Sequence, residues 1–162
     1  MRKSLLTVGF AFVFSLVLAA PADAQVHFGP QASFADDVDF GIGGRVVAGV
    51  PDYAGFEVAG SFDYYFPDGF DYWEINGNVL YNLELEGSSS FRPYAGGGLN
   101  IARIDSDVSV PGFDVDASTT EVGLNLVGGA KIATDAVTTP FVEAKFEISG
   151  GEQFVIQGGL LF

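Results

Sequence analysis

The sequence predicts an all-β fold, an eight-stranded antiparallel up-and-down transmembrane β-barrel. Three observations predict it. Apolar and polar residues alternate through eight segments, the bulky aromatics gather toward the segment ends, and an apolar leader of the export type precedes them. Strict alternation means a sheet with one apolar and one polar face. Segments of about 9–11 residues match a tilted strand crossing a bilayer.

The leader comes first. Arg2 and Lys3 form a positive start, Leu5 to Ala20 an apolar run, and Ala22-Asp23-Ala24 a small-x-small cleavage site. The run is shorter than the roughly 20 residues a spanning helix needs. Residues 1–24 are therefore expected to be a cleaved signal peptide, and 25–162 a single barrel domain.

The strands are expected near 26–35, 40–50, 56–66, 72–84, 91–104, 120–133, 139–148 and 154–162. Turn chemistry separates them, as at Pro51-Asp52, Pro67-Asp68-Gly69, Pro111-Gly112 and Gly150-Gly151. The third segment sets Phe56, Val58, Gly60, Phe62, Tyr64 and Phe66 against Glu57, Ala59, Ser61, Asp63 and Tyr65. In the fourth, Trp73, Ile75, Gly77, Val79 and Tyr81 oppose Glu74, Asn76, Asn78 and Leu80. The sixth and seventh alternate likewise. Pro30 and Pro93 fall inside strands, where each removes a ladder donor.

Alternation alone does not say which face is outside. A soluble exported barrel would turn the apolar face inward and bind a lipid-like ligand; a membrane barrel turns it outward. Aromatic placement favours the membrane. Phe34, Phe40, Phe66 and Trp73 flank one set of turns, and Phe56, Tyr81, Phe91, Phe141 and Phe162 lie toward the other. Between them stand small and aliphatic residues such as Gly44, Val58, Gly77, Val79 and Leu99. Two aromatic girdles around an aliphatic band fit a bilayer.

Charge and composition exclude several classes. Seven basic residues face 21 acidic ones, for a formal net charge of −14. That balance argues against nucleic acid as a partner. There is no cysteine, so disulfides and thiolate metal sites are absent, and no cofactor is expected. The one histidine, His27, lies about 20 Å from Ser33 at strand rise. A serine nucleophile needs its base within hydrogen-bond reach, so no enzyme is expected.

The chain resembles the small eight-stranded outer-membrane β-barrels of the OmpA-like and OmpX-like kind. The likeness rests on the leader, the strand count, the stretch Phe91-Arg-Pro-Tyr-Ala-Gly-Gly-Gly-Leu-Asn100 and terminal Phe162. The resemblance implies residence in the outer membrane, as a monomer among lipid and lipopolysaccharide. It also makes Phe162 part of the signal read by the outer-membrane assembly machinery. Both chain ends would lie in the periplasm, with outward loops near 36–39, 67–71, 105–119 and 149–153, the third being longest.

Two groups of residues are candidate sites. Arg45, Glu57, Asp63, Glu74, Arg92, Glu121, Lys131, Glu143, Lys145 and Glu147 have the parity of the polar face and form a candidate lumen network. Confined charges must pair or neutralise. They form either a salt-bridged plug or a narrow porin-like path for ions or small solutes; an eight-stranded interior is just wide enough for side chains, which favours the plug. Asp105, Asp107, Asp114 and Asp116 bracket the third loop. They are a solvated anionic rim or oxygen ligands for a hard cation. No metal site is assigned, since no ordered calcium-loop spacing is present. The role expected is structural or surface-interacting.

Overall fold

The computed structural model describes residues 25–85, 90–110, 113–148 and 152–162, and for 106–110 and 113–117 the backbone alone. The leader lies outside the described residues. The described residues form strands β1 (Val26–Ala35), β2 (Asp39–Gly49), β3 (Phe56–Tyr65), β4 (Asp71–Asn82), β5 (Phe91–Val110), β6 (Phe113–Ile132), β7 (Thr139–Ile148) and β8 (Gln153–Leu161). Each pairs antiparallel with its neighbours, and β1 pairs with β8 to close the barrel. Closure leaves no lateral sheet edge around the wall.

Period-2 alternation sets the two faces. On β4, Tyr72, Glu74, Asn76, Asn78 and Leu80 are buried inside, while Val79 and Tyr81 are exposed outside. The outer face carries Phe28, Phe34, Ile42, Leu99, Val122, Leu124 and Phe146, each about half exposed or more. The interior holds Asp63, Glu74, Glu143 and Lys145, each nearly inaccessible. That is the reverse of a soluble barrel with an apolar core.

Most outer girdle residues stand as the alternation predicts, and several touch across strands: Phe56 with Tyr81 (4.9 Å between centroids), Phe62 with Trp73 (6.0 Å) and Phe146 with Phe154 (4.7 Å). Phe141 is a correction. It points inward and is buried at 5% exposure, with the Arg45 guanidinium 4.8 Å from its ring centroid. Its parity is that of Glu143 and Lys145, so the pleat overrides its aromatic character.

The longest expected loop is also corrected. β5 and β6 continue through residues 105–119 as a paired ribbon, in register from Phe91↔Ile132 to Val110↔Phe113. Its neighbours stop short: β4 leaves β5 at Asp71↔Asp105, and β7 meets β6 only from Leu124↔Ile148. The physical reason is in the sequence. Val108, Val110, Phe113 and Val115 alternate with Ser and Asp, which is strand patterning. The acidic residues disguise it as turn chemistry.

Pro30 is accommodated at the seam. β1 and β8 pair from Gln31↔Gly159 to Ala35↔Val155, and Phe28 and Phe162 exchange backbone hydrogen bonds of 3.3 and 2.9 Å. The ladder is interrupted between them, where Pro30 has no N–H to donate. The proximal end of the barrel is the one where β1 begins and β8 finishes. The distal end carries the β1–β2, β3–β4, β5–β6 and β7–β8 connections.

Candidate functional site

The interior is layered. At its distal end Ala35, Val38, Tyr65, Tyr72, Ala102 and Val155 form one buried apolar cluster. At its proximal end Val47, Ala59, Leu80, Tyr94, Val127, Phe141 and Leu161 form another. Six charged groups, Arg45, Asp63, Glu74, Glu143, Lys145 and Glu147, lie between them. Each cluster is built from inward positions of several strands, so the barrel's closure brings together residues far apart in sequence.

Lys145 on β7 is the first hub. It bonds to Glu74 on β4 across the interior, pairs with Glu147 at 2.6 Å, and donates to the Asn76 side-chain oxygen at 3.2 Å. Glu74 also accepts from Asn76 at 2.9 Å and from the Tyr65 hydroxyl at 3.2 Å. Glu147 accepts from Gln153 and Asn100, both at 2.8 Å. Lys145 and Glu74 have fully buried side chains.

Arg45 on β2 is the second hub. Its two terminal nitrogens reach both oxygens of Glu143, at 3.0 and 2.7 Å, a bidentate pair. Glu143 also accepts from the Tyr94 hydroxyl at 2.8 Å and from Gln157 at 2.5 Å. Asp63 is held by neutral donors: Gln31 at 2.7 and 2.8 Å, Ser33 at 3.0 Å and Ser61 at 3.2 Å. An amide ladder joins the strands: Asn125 donates to Asn76 at 2.9 Å and to Asn78 at 3.0 Å.

Thus Arg45, Asp63, Glu74, Glu143, Lys145 and Glu147 come together in the middle of the interior. Lys131 and Glu57 pair with each other nearer the proximal end, where both are partly buried. Arg92 is the register partner of Lys131, but it is exposed at the proximal rim and joins no ion pair among the described residues. Glu121 stands opposite buried Ala102 and is half-buried, outside both hubs. The uncharged partners Gln31, Gln153, Gln157, Tyr65 and Tyr94 are not among the residues that the sequence assigns to the network, although Tyr65 stands on its polar face. Their inward parity was the signal that could have found them.

Of the loop carboxylates, Asp105 is held by Arg103, whose Nε lies 3.0 Å from its Oδ1. The backbone register sets Asp107 opposite Asp116 and Asp114 opposite Ser109. The side chains of these three lie outside the described residues. Among the described residues no group of three or more His, Cys, Asp or Glu side chains could hold a metal ion.

No family model and no curated protein sequence matches the chain. Solved structures do. The N-terminal β-barrel domain of Pseudomonas aeruginosa OprF superposes with a TM-score of 0.67 at 17% identity, covering 86% of this chain and 98% of that one. Neisserial surface protein A gives 0.61 at 17% identity, over 85% and 97%. Ail, the attachment invasion locus protein of Yersinia pestis, gives 0.53 at 12% identity, over 86% and 97%. With its closed ring of eight antiparallel strands, the chain has the fold of the small outer-membrane β-barrels.

Proposed function

We propose that the protein is an integral outer-membrane barrel with a structural or surface-interaction role, its lumen closed to ions by its own side chains. The observation that carries this reading is the layered interior. Hydrogen-bonded charges fill the middle, and an apolar cluster stands across each end. Water and ions entering such a space would have to displace well-made charge-assisted bonds. Recognition then falls to the distal surface, where the β5–β6 ribbon projects beyond its neighbours.

Planar-bilayer recording tests the closed lumen. The pure protein is expected to give no steady conductance, and sustained ion-selective channels would replace this reading with that of a narrow pore.

Residence in lipid is tested separately at Leu99. It is 57% exposed and lies level with Gly77 and Leu124, midway between the girdle residues Trp73 and Tyr81. Leu99→Arg is expected to cost about 2–4 kcal/mol in vesicles, the depth-dependent cost of a cation at the bilayer midplane. Urea unfolding of vesicle-inserted protein measures it. A neutral or stabilising effect is what a water-facing surface would give.

A further inference from the structure

We infer that Glu74 and Glu147 hold one proton between them, as a buried proton-binding dyad in the middle of the barrel. The inference rests on the reading above only in keeping these side chains away from bulk water.

The charge balance comes first. Among the described residues, the buried charged side chains are Asp63, Glu74, Glu143 and Glu147 against Arg45 and Lys145. Arg45 is committed to Glu143. Gln31, Ser33 and Ser61 give Asp63 four hydrogen bonds, two to each oxygen, which fill the acceptor sites of a carboxylate. Glu74 and Glu147 are left with one ammonium for two carboxyl groups.

The contacts then draw these two together. Lys145 donates to Glu74 Oε1 and stands 2.6 Å from Glu147 Oε1. Gln153 Nε2 spans them as well, 2.8 Å from Glu147 Oε2 and 3.5 Å from Glu74 Oε2. The two carboxyl groups lie within hydrogen-bond reach of each other. Ionised carboxylates have only lone pairs to offer, so this contact closes only around a hydrogen. Glu74 Oε1 also accepts from Asn76 and Tyr65 and is the better anion, so the proton rests on Glu147.

The surroundings show the same shortage of hydrogens. Asn100 Oδ1, Asn125 Oδ1 and Glu147 Oε1 are buried oxygens that accept no hydrogen bond. Asn125 is the register partner of Glu147, and Asn100 donates to it. No group of three acidic side chains among the described residues could hold a metal ion there; a proton needs no coordination shell. The other titratable groups facing the dyad are Lys145 on β7, Asp63 and Tyr65 on β3 and Tyr72 on β4. Glu121 on β6 stands beyond Tyr72, and Arg45 on β2 with Glu143 on β7 forms the separate hub. From β1, β5 and β8 come the neutral Gln31, Asn100 and Gln153.

A proton kept in the fold and released by the unfolded chain makes stability fall as pH rises. Infrared spectroscopy of the protein refolded into phosphatidylcholine vesicles tests the dyad at about pH 6, where a free glutamic acid is ionised. The carbonyl stretch of a protonated carboxyl is expected, shifted by deuterium exchange and removed by Glu147→Gln. Urea unfolding at rising pH reads the same proton. Relative to Glu147→Gln, the wild type should lose up to about tenfold in folding constant per pH unit above the ordinary carboxyl range. No such band in the wild type, or one that survives both Glu147→Gln and Glu74→Gln, would overturn the dyad. If neither variant folds, glutamate labelled with carbon-13 at its side-chain carboxyl decides: a band that shifts with the label supports the dyad, and an unshifted band, as Asp63 would give, sinks it. Bilayer recording keeps the two readings apart. A conducting barrel that retains the band defeats the closed lumen alone, and a silent barrel without it defeats the dyad alone.

Discussion

Lys145→Met is expected to destabilise the barrel by about 3–5 kcal/mol, the cost of breaking a buried ion pair by removing one partner. Lys145 stands between Glu74 and Glu147 with no exposed side-chain surface of its own. The middle of the interior holds four carboxyl groups, Asp63, Glu74, Glu143 and Glu147, against Arg45 and Lys145. Removing Lys145 leaves all four facing one guanidinium that is already committed to Glu143. Methionine keeps most of the volume, so the loss is electrostatic and not a cavity effect. Urea unfolding in detergent or vesicles measures it. Adding Glu74→Gln and Glu147→Gln to Lys145→Met should recover a large part, because the stranded charges are then gone. A triple variant no more stable than the single one would show that Lys145 acts by packing instead.

The second large effect is expected at Gly98. It sits on β5 between Asn78 of β4 and Asn125 of β6, and Asn125 reaches across it to Asn78. A Cβ there would stand 1.9 Å from the Gly77 carbonyl oxygen and 2.5 Å from the Asn78 side-chain oxygen. Neither the backbone oxygen nor an amide bonded to its neighbour can yield cheaply. Gly98→Ala is expected to cost about 1–3 kcal/mol as overpacking. Gly98→Val should lose more, since a buried amide left without its partner adds about 1–3 kcal/mol. The measurement is the folded fraction on unheated gels together with the urea midpoint. Gly77→Ala is the control: its Cβ would meet nothing within 4 Å, so it should be nearly silent.

Gly98 also shows how far the sequence could be read. The glycine run beside Tyr94 was visible as a family-like stretch, but its purpose needs the register. Only the pairing of three strands shows that two asparagines share the space above one glycine. The wall was more legible than its contents. β1 and β7 have the bounds that alternation predicts, and β2, β3, β4 and β8 differ by a residue or two at their ends. Period-2 patterning is a local property, so it survives without tertiary information.

The contents obey a different geometry. Which inward residues share a level depends on the stagger of the strands around the ring. So the sequence placed Lys145, Glu74 and Glu147 on one face, yet could not show that they meet. It likewise could not separate Lys131, which finds Glu57, from its register partner Arg92, which stays at the rim. At Phe141 aromatic character points to the girdle and parity to the interior, and the side chain follows parity. At residues 105–119 acidic composition points to a loop and alternation to strands, and the backbone follows alternation. In both cases the pleat was the better guide.

The closing ladder constrains the order in which the molecule can assemble. Every other ladder joins strands adjacent in the chain, so each can zip from a nearby turn at small entropic cost. The β1–β8 contact joins residues more than a hundred positions apart, through a short and interrupted set of rungs. A curled, open sheet is therefore the natural precursor. Its two free margins meet only once the intervening hairpins have brought them side by side, and the ion pairs that cross the interior, Arg45 with Glu143 and Lys145 with Glu74, depend on that curling.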